Sequence, residues 1–177
     1  NALLNVSRIE LGTWAVEPVP TSIKDVAESV FDELVPMITE KKMKVVKKYD
    51  SKLPAKMPLD GKLLRIVFQN LLTNALKYTP DKGTITLDIT KDKQDVLIKI
   101  TDTGYGIPKK QQSMMFTKMF RADNVKEHDT SGTGLGLYIV KSIVERAAGG
   151  KIWFESVENK GTTFYFSIPL KGMVSKE

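Results

Sequence analysis

The chain has 177 residues, 41% of them hydrophobic, which is enough for one well-buried core and short for two. It contains no cysteine, which excludes disulfide frameworks, thiolate metal sites and a cysteine nucleophile. No apolar run approaches the roughly 20 residues of a membrane-spanning helix. The net charge of +6 suits nucleic acid, an anionic surface, a polyphosphate or an acidic protein equally well. Composition therefore predicts one soluble domain and leaves its ligand open.

The first half of the chain predicts two amphipathic helices separated by a strand. Residues 1–11 resemble the last turns of a helix that Gly12 ends, and Pro18 and Pro20 punctuate the link that follows. The expected elements are then a helix at about 21–42, capped by Thr21 or Ser22 and with Pro36 as a candidate kink, a strand at 44–49, a loop at 50–58, and a helix at 61–78 capped by Asp60.

The second half predicts two hairpins around a helix. The expected elements are strands at 84–90 and 95–102, a polar segment without a period at 121–133, a helix at 135–148 stopped by Gly149 and Gly150, and strands at 151–157 and 162–170. The polar segment is expected to be a mobile lid. Paired hairpins favour an α+β fold, a two-layer sandwich in which helices cover one face of a mixed, mostly antiparallel sheet.

One stripe of the helix at 61–78 carries polar residues spaced by three and four. Asn70, Asn74, Lys77 and Tyr78 point the same way at this spacing. Carboxamide oxygens can ligate magnesium, an ammonium can neutralise phosphate, and a ring can lie against a base. A solvated flank of an amphipathic helix would look the same.

The segment DTGYGIP follows directly where the strand at 95–102 ends. Gly104 and Gly106 permit close backbone approach. The carboxylate of Asp102 only accepts hydrogen bonds, so when buried against a base it favours the exocyclic amine of adenine over the carbonyl oxygen of guanine. An ordinary turn after a strand is the alternative for this motif taken alone.

A third segment, SGTGLGLYIVKSIVE, leads from a glycine-rich turn into a helix. Gly132, Gly134 and Gly136 would expose backbone amides at the positive end of the helix dipole, which favours phosphate. The run is no Walker loop, because no Gly-Lys-Ser/Thr follows, and a flexible hinge is the alternative. The order and spacing of all three segments together favour a nucleotide site.

From about residue 21 to 170 the sequence resembles the catalytic ATP-binding domain of sensor histidine kinases, within the gyrase, Hsp90, histidine kinase and MutL superfamily of Bergerat-fold ATPases. FQNLLTNALKYTP resembles the N box of that family, DTGYGIP its first glycine box and MMFTKMFRAD its F box. GTGLGLYIVKSIVE resembles the second glycine box, and GTTFYFSIPL the closing strand. The resemblance implies a Bergerat fold with a mobile ATP lid, and ATP and Mg²⁺ as ligands.

The resemblance also implies a role for each matching residue. Asn70 and Asn74 would serve magnesium and the phosphates, Lys77 the phosphate chain, and Tyr78 the adenine face. Asp102 would bind the adenine amine, and Arg121 would reach the terminal phosphate, so the implied catalytic residues are Asn70, Lys77 and Arg121. The other implied nucleotide contacts are Gly104, Gly106, Ile107, Phe120, Gly132, Thr133, Gly134, Leu135, Gly136, Leu137 and, through water, Thr163, while Phe116 and Phe120 would anchor the lid.

The same resemblance implies partners and a division of the chain. Residues 1–14 would be the end of a dimerisation helix and a linker, 15–171 the catalytic domain and 172–177 a tail. The phosphate would pass to a histidine on the dimerisation and phosphotransfer domain of the same homodimeric parent, and then to a response regulator receiver domain. The expected location is the cytoplasm, with no nucleic acid and no membrane contact from this part, even if the parent is anchored in a membrane.

Two departures from the family pattern concern the lid. Met119-Phe120-Arg121 replaces the usual Phe-Tyr-Arg, a soft apolar exchange. The one histidine, His128, lies in the lid and not in a helix that would carry the phosphate acceptor, and a solvated loop histidine is the expected role. The alternatives to a histidine kinase are an ATP-hydrolysing clamp of the same superfamily and an anti-sigma-type serine kinase. A basic nucleic-acid module ranks lower, because the lysines are scattered.

Overall fold

The structure is a computed structural model and describes residues 4, 7–8, 11–126 and 132–175. Most of the helix predicted at 1–11, and His128, lie outside the described residues. In chain order the elements are β1 (Val19–Thr21), α1 (Ile23–Glu40), β2 (Lys44–Tyr49), β3 (Met57–Leu59), α2 (Gly61–Lys77), β4 (Thr84–Asp92), β5 (Asp95–Asp102), a 3-10 helix (Lys109–Met114), α3 (Asp123–Lys126), α4 (Gly136–Ser142) running into a π-helical turn (Ile143–Ala147), β6 (Ile152–Val157) and β7 (Gly161–Pro169).

Five strands form one mixed sheet in the order β2-β4-β5-β7-β6. The β2–β4 pair is parallel and the other three pairs are antiparallel. Along β5 and β7 buried residues alternate with half-buried ones, as expected for a sheet with one face against a core. The predicted α+β class, the two hairpins and the helix-covered face are therefore confirmed.

The helices α1 and α2 begin where their caps predict. The side chain of Ser22 accepts a hydrogen bond from the N–H of Asp25, and that of Asp60 accepts from Lys62 and Leu63. Pro36 lies inside α1, which continues to Glu40. The apolar face of α2 packs on the sheet, with the rings of Phe68 and Phe166 edge to face at 5.6 Å.

Three features differ from the predicted elements. The small antiparallel β1–β3 pair occupies segments expected to be a link and a loop. The 3-10 helix and α3 flank the F box, where no helix was expected. The helix predicted at 135–148 is α-helical only to Ser142 and then widens into a π-helical turn.

Both ends of the described chain join the core beside the start of α2. Val16 is buried, and the N–H of Glu17 donates to Oδ2 of Asp60 at 3.0 Å. Met173 is buried as well, and its N–H donates to the carbonyl of Pro58 at 2.7 Å. Packed structure thus continues past residue 171, where a tail was expected. No helix in the part of the chain that the structure describes is long and apolar enough to cross a membrane.

Candidate functional site

Two connected cavities lie between α2, the residues after β5 and the lid. The larger, which we call the polar cleft, has a volume of about 550 Å³ and runs along α2 towards the start of α4. The smaller, the base cavity, holds about 60 Å³ and reaches the end of β5. Residues that line both cavities are Asn74, Tyr78, Met115, Ala122, Val125 and Leu137.

Asp102 is the charged side chain of the base cavity. It is only 9% exposed, and both of its hydrogen bonds in the described structure end on Oδ1, from the N–H of Gly104 at 2.9 Å and of Thr162 at 3.2 Å. Burial raises the pKa of Asp102 to about 6, although the two backbone donors favour the ionised form. Asp102 lines the base cavity, and its other carboxylate oxygen, Oδ2, could accept a hydrogen bond from an amine there.

The backbone around Asp102 is shaped by its glycines. Gly106 has a φ of +65°, and a Cβ there would lie 2.1 Å from the carbonyl oxygen of Val157. The N–H of the following Ile107 donates to Oγ of Ser156 at 2.8 Å, which fastens the loop at 102–108 to β6. These contacts require a residue without a side chain at 106, so the loop is close-packed and preformed.

The polar cleft presents carboxamide oxygens from α2. Nδ2 of Asn70 donates to the carbonyl of Ile66 at 2.8 Å, so its remaining polar atom, Oδ1, faces the start of α4. Gly136 stands there, and a Cβ at that residue would lie 2.6 Å from this Oδ1. Asn74 lines the cleft one turn further along α2. Both residues can offer oxygen ligands to a hard cation.

The lid side of the cleft is built from glycines packed on the F box. Gly134 has a φ of +70°, and a Cβ there would lie 2.6 Å from the backbone carbon of Met119. A Cβ at Gly132 would lie 3.0 Å from the guanidinium of Arg121. The glycine-rich turn and Arg121 of the F box therefore line the same part of the cleft.

The structure brings most of the predicted site residues to these cavities. Those lining the polar cleft are Asn70, Asn74, Lys77, Tyr78, Phe120, Arg121, Gly132, Thr133, Gly134, Gly136 and Leu137. Asp102, Gly106 and Ile107 line the base cavity. Gly104 stands behind Asp102, and Leu135 belongs to the hydrophobic core. Phe116 packs against Phe154 and Phe164 rather than on the cavity, in keeping with an anchor.

The structure places Thr162, and not the predicted Thr163, at the base cavity. Oγ1 of Thr163 lies 3.1 Å from Oγ1 of Thr101 on the open face of the sheet, away from the cavity. Thr162 is buried, lines the base cavity and pairs in register with Asp102. Neighbouring residues of a strand point to opposite faces, so an error of one residue changes the face.

Further residues line the base cavity without a sequence signal that singled them out. Ala122 and Val125 form an apolar cluster with Ile107, against which Met115 packs. Ala122 directly precedes α3 and Val125 lies within it, but a helix of four residues is too short for a detectable period.

Comparison with known proteins decides the family. Residues 59–172 match the model of the histidine kinase-, DNA gyrase B- and HSP90-like ATPases, and this range includes α2, the loop at 102–108, the lid and β7. The chain belongs to this family.

Sensor histidine kinases are among the similar members of the family. The sensor histidine kinase WalK of Bacillus subtilis is 40% identical over 115 residues, which are 64% of this chain and 19% of WalK. The adaptive-response sensory kinase SasA of a Synechococcus strain is 33% identical over 172 residues, which are 95% of this chain and 44% of SasA. This chain therefore spans less than half the length of either relative.

Solved structures show the same fold. The nucleotide-free catalytic domain of histidine kinase ThkA superposes with a TM-score of 0.76 at 27% identity, covering 87% of this chain and 96% of that domain. A structure of ThkA in complex with the response regulator protein TrrA matches with a TM-score of 0.75 at 24% identity, covering 95% of this chain and 47% of ThkA. The domain is thus a Bergerat fold of the kind found in histidine kinase catalytic domains.

Proposed function

We propose that this domain binds Mg²⁺-ATP and, within its parent protein, transfers the γ-phosphate to a histidine on a dimerisation domain. The observation that carries the proposal is the arrangement of the two cavities. The buried carboxylate of Asp102 lines a small, mostly apolar cavity that could hold part of a nucleobase. This cavity shares lining residues with a polar cleft, which is lined by glycines, carboxamides and cations. This pairing suits a purine attached to a polyphosphate.

The donor set of the cleft fits magnesium held jointly with phosphate. Within residues 11–126 and 132–175 no group of three His, Asp or Glu side chains could hold a metal by itself. Asn70 and Asn74 would hold the ion through their carboxamide oxygens, with the nucleotide supplying the other ligands. Bound there, magnesium would neutralise charge on the phosphate oxygens.

The remaining polar residues of the cleft position the phosphates. Lys77 and Arg121 bring positive charge to it, and Gly132, Thr133, Gly134 and Gly136 line its wall, where backbone amides could reach a phosphate. In phosphoryl transfer a protein contributes mainly alignment and charge neutralisation. In this reading Arg121 stabilises charge on the terminal phosphate, and Lys77 orients the chain.

The chemistry of Asn70 separates transfer to a histidine from hydrolysis. A clamp-type ATPase needs a general base that takes a proton from water, and a glutamate serves this purpose. A carboxamide cannot take up a proton at neutral pH, and the Nδ2 group of Asn70 already donates a hydrogen bond to the carbonyl of Ile66. We therefore infer slow hydrolysis by the domain itself, which disfavours the ATPase alternative.

The proposal for the whole protein extends to its partners. Residues 1–14 would lead from a dimerisation helix, the parent would be a homodimer in the cytoplasm, and a response regulator receiver domain would take the phosphate. The names of WalK and SasA as sensory kinases, and the ThkA complex with TrrA, support this reading.

Phosphotransfer in trans tests the proposed function. The chain is incubated with γ-labelled ATP, with and without a purified dimerisation domain that carries a histidine. We expect acid-labile phosphohistidine only on the added domain. In Arg121→Ala the rate of transfer should fall about a hundredfold, while ATP affinity should fall much less. Rapid release of inorganic phosphate with no labelled histidine, abolished in Asn70→Ala, would instead establish an ATPase.

A further inference from the structure

The last turn of α2 ends in an unusual set of hydrogen bonds. The carbonyl of Asn74 accepts from the N–H of Tyr78 at 3.0 Å, and that of Ala75 from Oγ1 of Thr79 at 2.6 Å. The next carbonyls, those of residues 76–78 at the helix end and of Thr79 just beyond it, require partners outside the helix. This helix end adjoins the nucleotide site, because Tyr78 lines both cavities and Lys77 lines the polar cleft.

Lys41 supplies most of the missing donors. It is the C-cap residue of α1, and its Nζ lies 2.6 Å from the carbonyl of Leu76, 2.6 Å from that of Thr79 and 3.5 Å from that of Lys77. Its backbone is fixed too, since its carbonyl accepts from the N–H of Lys82 at 2.8 Å. A single ammonium thus collects the carbonyl oxygens at the negative end of the α2 dipole.

The remaining carbonyl of this group, that of Tyr78, belongs to the loop at 102–108. It accepts from the N–H of Tyr105 at 3.0 Å, and a Cβ at Gly104 would lie 2.2 Å from it. The end of α2 is therefore held from two sides, by Lys41 on one and by the loop that carries Asp102 on the other.

The sequence at this helix end explains why an outside cation is needed. Many helices end in a glycine with positive φ, which turns the chain back and satisfies the last carbonyls. Here the C-cap is Tyr78, with a φ of −97°, and Thr79 and Pro80 follow. The residues at this helix end have no such glycine, so Lys41 takes over the capping role.

We propose that Lys41 is a positioning residue for the nucleotide site, holding the last turn of α2 so that Asn74, Lys77 and Tyr78 keep their places on the cavity walls. The inference rests on the proposed function for its ligand, ATP. The inference goes beyond the proposed function because it gives Lys41, which lines neither cavity, a role in nucleotide binding. Without the ammonium, three carbonyls lose their donor and the last turn is free to fray, from Thr79 back towards Asn74.

Nucleotide binding by the wild type and four variants tests the proposal. Lys41→Met removes the ammonium and keeps an apolar stem, Lys41→Gln keeps a neutral donor, and Lys41→Arg restores a cation. Lys42→Met, which removes the same charge from the exposed neighbouring residue, is the matched control. By calorimetry we expect ADP affinity to fall about tenfold in Lys41→Met, less in Lys41→Gln, and hardly at all in Lys41→Arg or Lys42→Met.

Hydrogen exchange of the unliganded proteins separates positioning from general loss of stability. The amides of Tyr78 and Tyr105 should exchange faster in Lys41→Met, while amides in the middle of β5 keep their wild-type protection. Uniformly faster exchange across the domain, or unchanged ADP affinity in a folded Lys41→Met, would overturn the proposal. Should the wild type bind no nucleotide, the proposed function fails, and the exchange at Tyr78 and Tyr105 still decides whether Lys41 holds this turn.

Discussion

At the scale of single residues, Asp102 uses one oxygen for the protein and leaves the other for a ligand. In Asp102→Asn the Oδ1 atom can still accept from Gly104 and Thr162, but an amide nitrogen replaces the free oxygen. We expect ATP affinity, measured by calorimetry, to fall by about tenfold or more. The preference of the domain for ATP over GTP should disappear. Unaltered selectivity in a folded variant would place adenine recognition elsewhere.

The same carboxylate predicts a pH effect on stability. Burial raises its pKa from 3.8 to about 6 in the folded state, so the folded state takes up a proton more readily than the unfolded chain. This favourable contribution is complete below about pH 4 and is lost as the pH rises through 6. At pH 7 the free energy of unfolding of Asp102→Asn should therefore exceed that of wild type by up to about 3 kcal/mol, and the difference, followed by urea titration, should close towards pH 4.

Binding should follow the opposite trend with pH. The ionised carboxylate is the better acceptor for an amine, so adenosine affinity should rise from about pH 5 to 7 with a midpoint near 6. Adenosine is the suitable probe because it lacks a phosphate that titrates in this range. Asp102→Asn serves as the control, and a step of equal size in that variant would assign the effect to another group.

The close approach of Gly136 to Asn70 predicts a separable effect on magnesium. In Gly136→Ala the new Cβ would crowd Oδ1 of Asn70, while alanine suits the first turn of α4. We expect the gain in ATP affinity on adding magnesium to shrink about tenfold, with adenosine affinity and melting temperature close to wild type. An equal loss for adenosine would mean that the base cavity has been disturbed as well.

At the scale of elements, the start of α2 depends on Asp60. Its Oδ1 caps the helix and its Oδ2 holds the N–H of Glu17. Asp60→Ala should lower the free energy of unfolding by about 2 kcal/mol, measured with urea. Asp60→Asn can keep the cap but presents an amide NH2 group, which cannot accept from the N–H of Glu17, so the loss should be about half as large.

The long elements could be predicted because each repeats its own period several times. The helix α2 shows an apolar face over 17 residues, and β5 alternates over eight. The strands β1 and β3 have three residues each and contain Pro20 and Pro58, which argue against strands when read locally. They form because they pair with each other, which is a tertiary effect.

The candidate site could be predicted where backbone chemistry defines it and not where strand register does. Glycines at 104, 106 and 134 leave a sequence signal because a Cβ there would clash with backbone atoms. The choice between Thr162 and Thr163 depends on which face each one presents, and that follows only from the pairing of β5 with β7. Ala122 and Val125 gain their role from the docking of α3, which no local pattern predicts.

At the scale of the whole molecule, one core joins the helical layer to the sheet. Phe68 of α2 and Phe166 of β7 are fully buried and in contact. Phe68→Ala should reduce the free energy of unfolding by 3–5 kcal/mol, in the range of such truncations. Phe68→Leu should cost less than half as much, and one urea transition common to fluorescence and circular dichroism would show that both layers unfold together.

The base cavity is lined by two kinds of residue, and they should differ in how readily they mutate to give resistance to an inhibitor of this domain. Backbone amides hold the Asp102 carboxylate through Oδ1. On our reading the loss of Oδ2 also abolishes ATP binding, so few escape mutations are open against a drug anchored there. Ala122 and Val125 also line this cavity and belong to an apolar cluster that does not include Asp102. Compounds that gain their potency from these two residues should therefore select for resistant variants sooner.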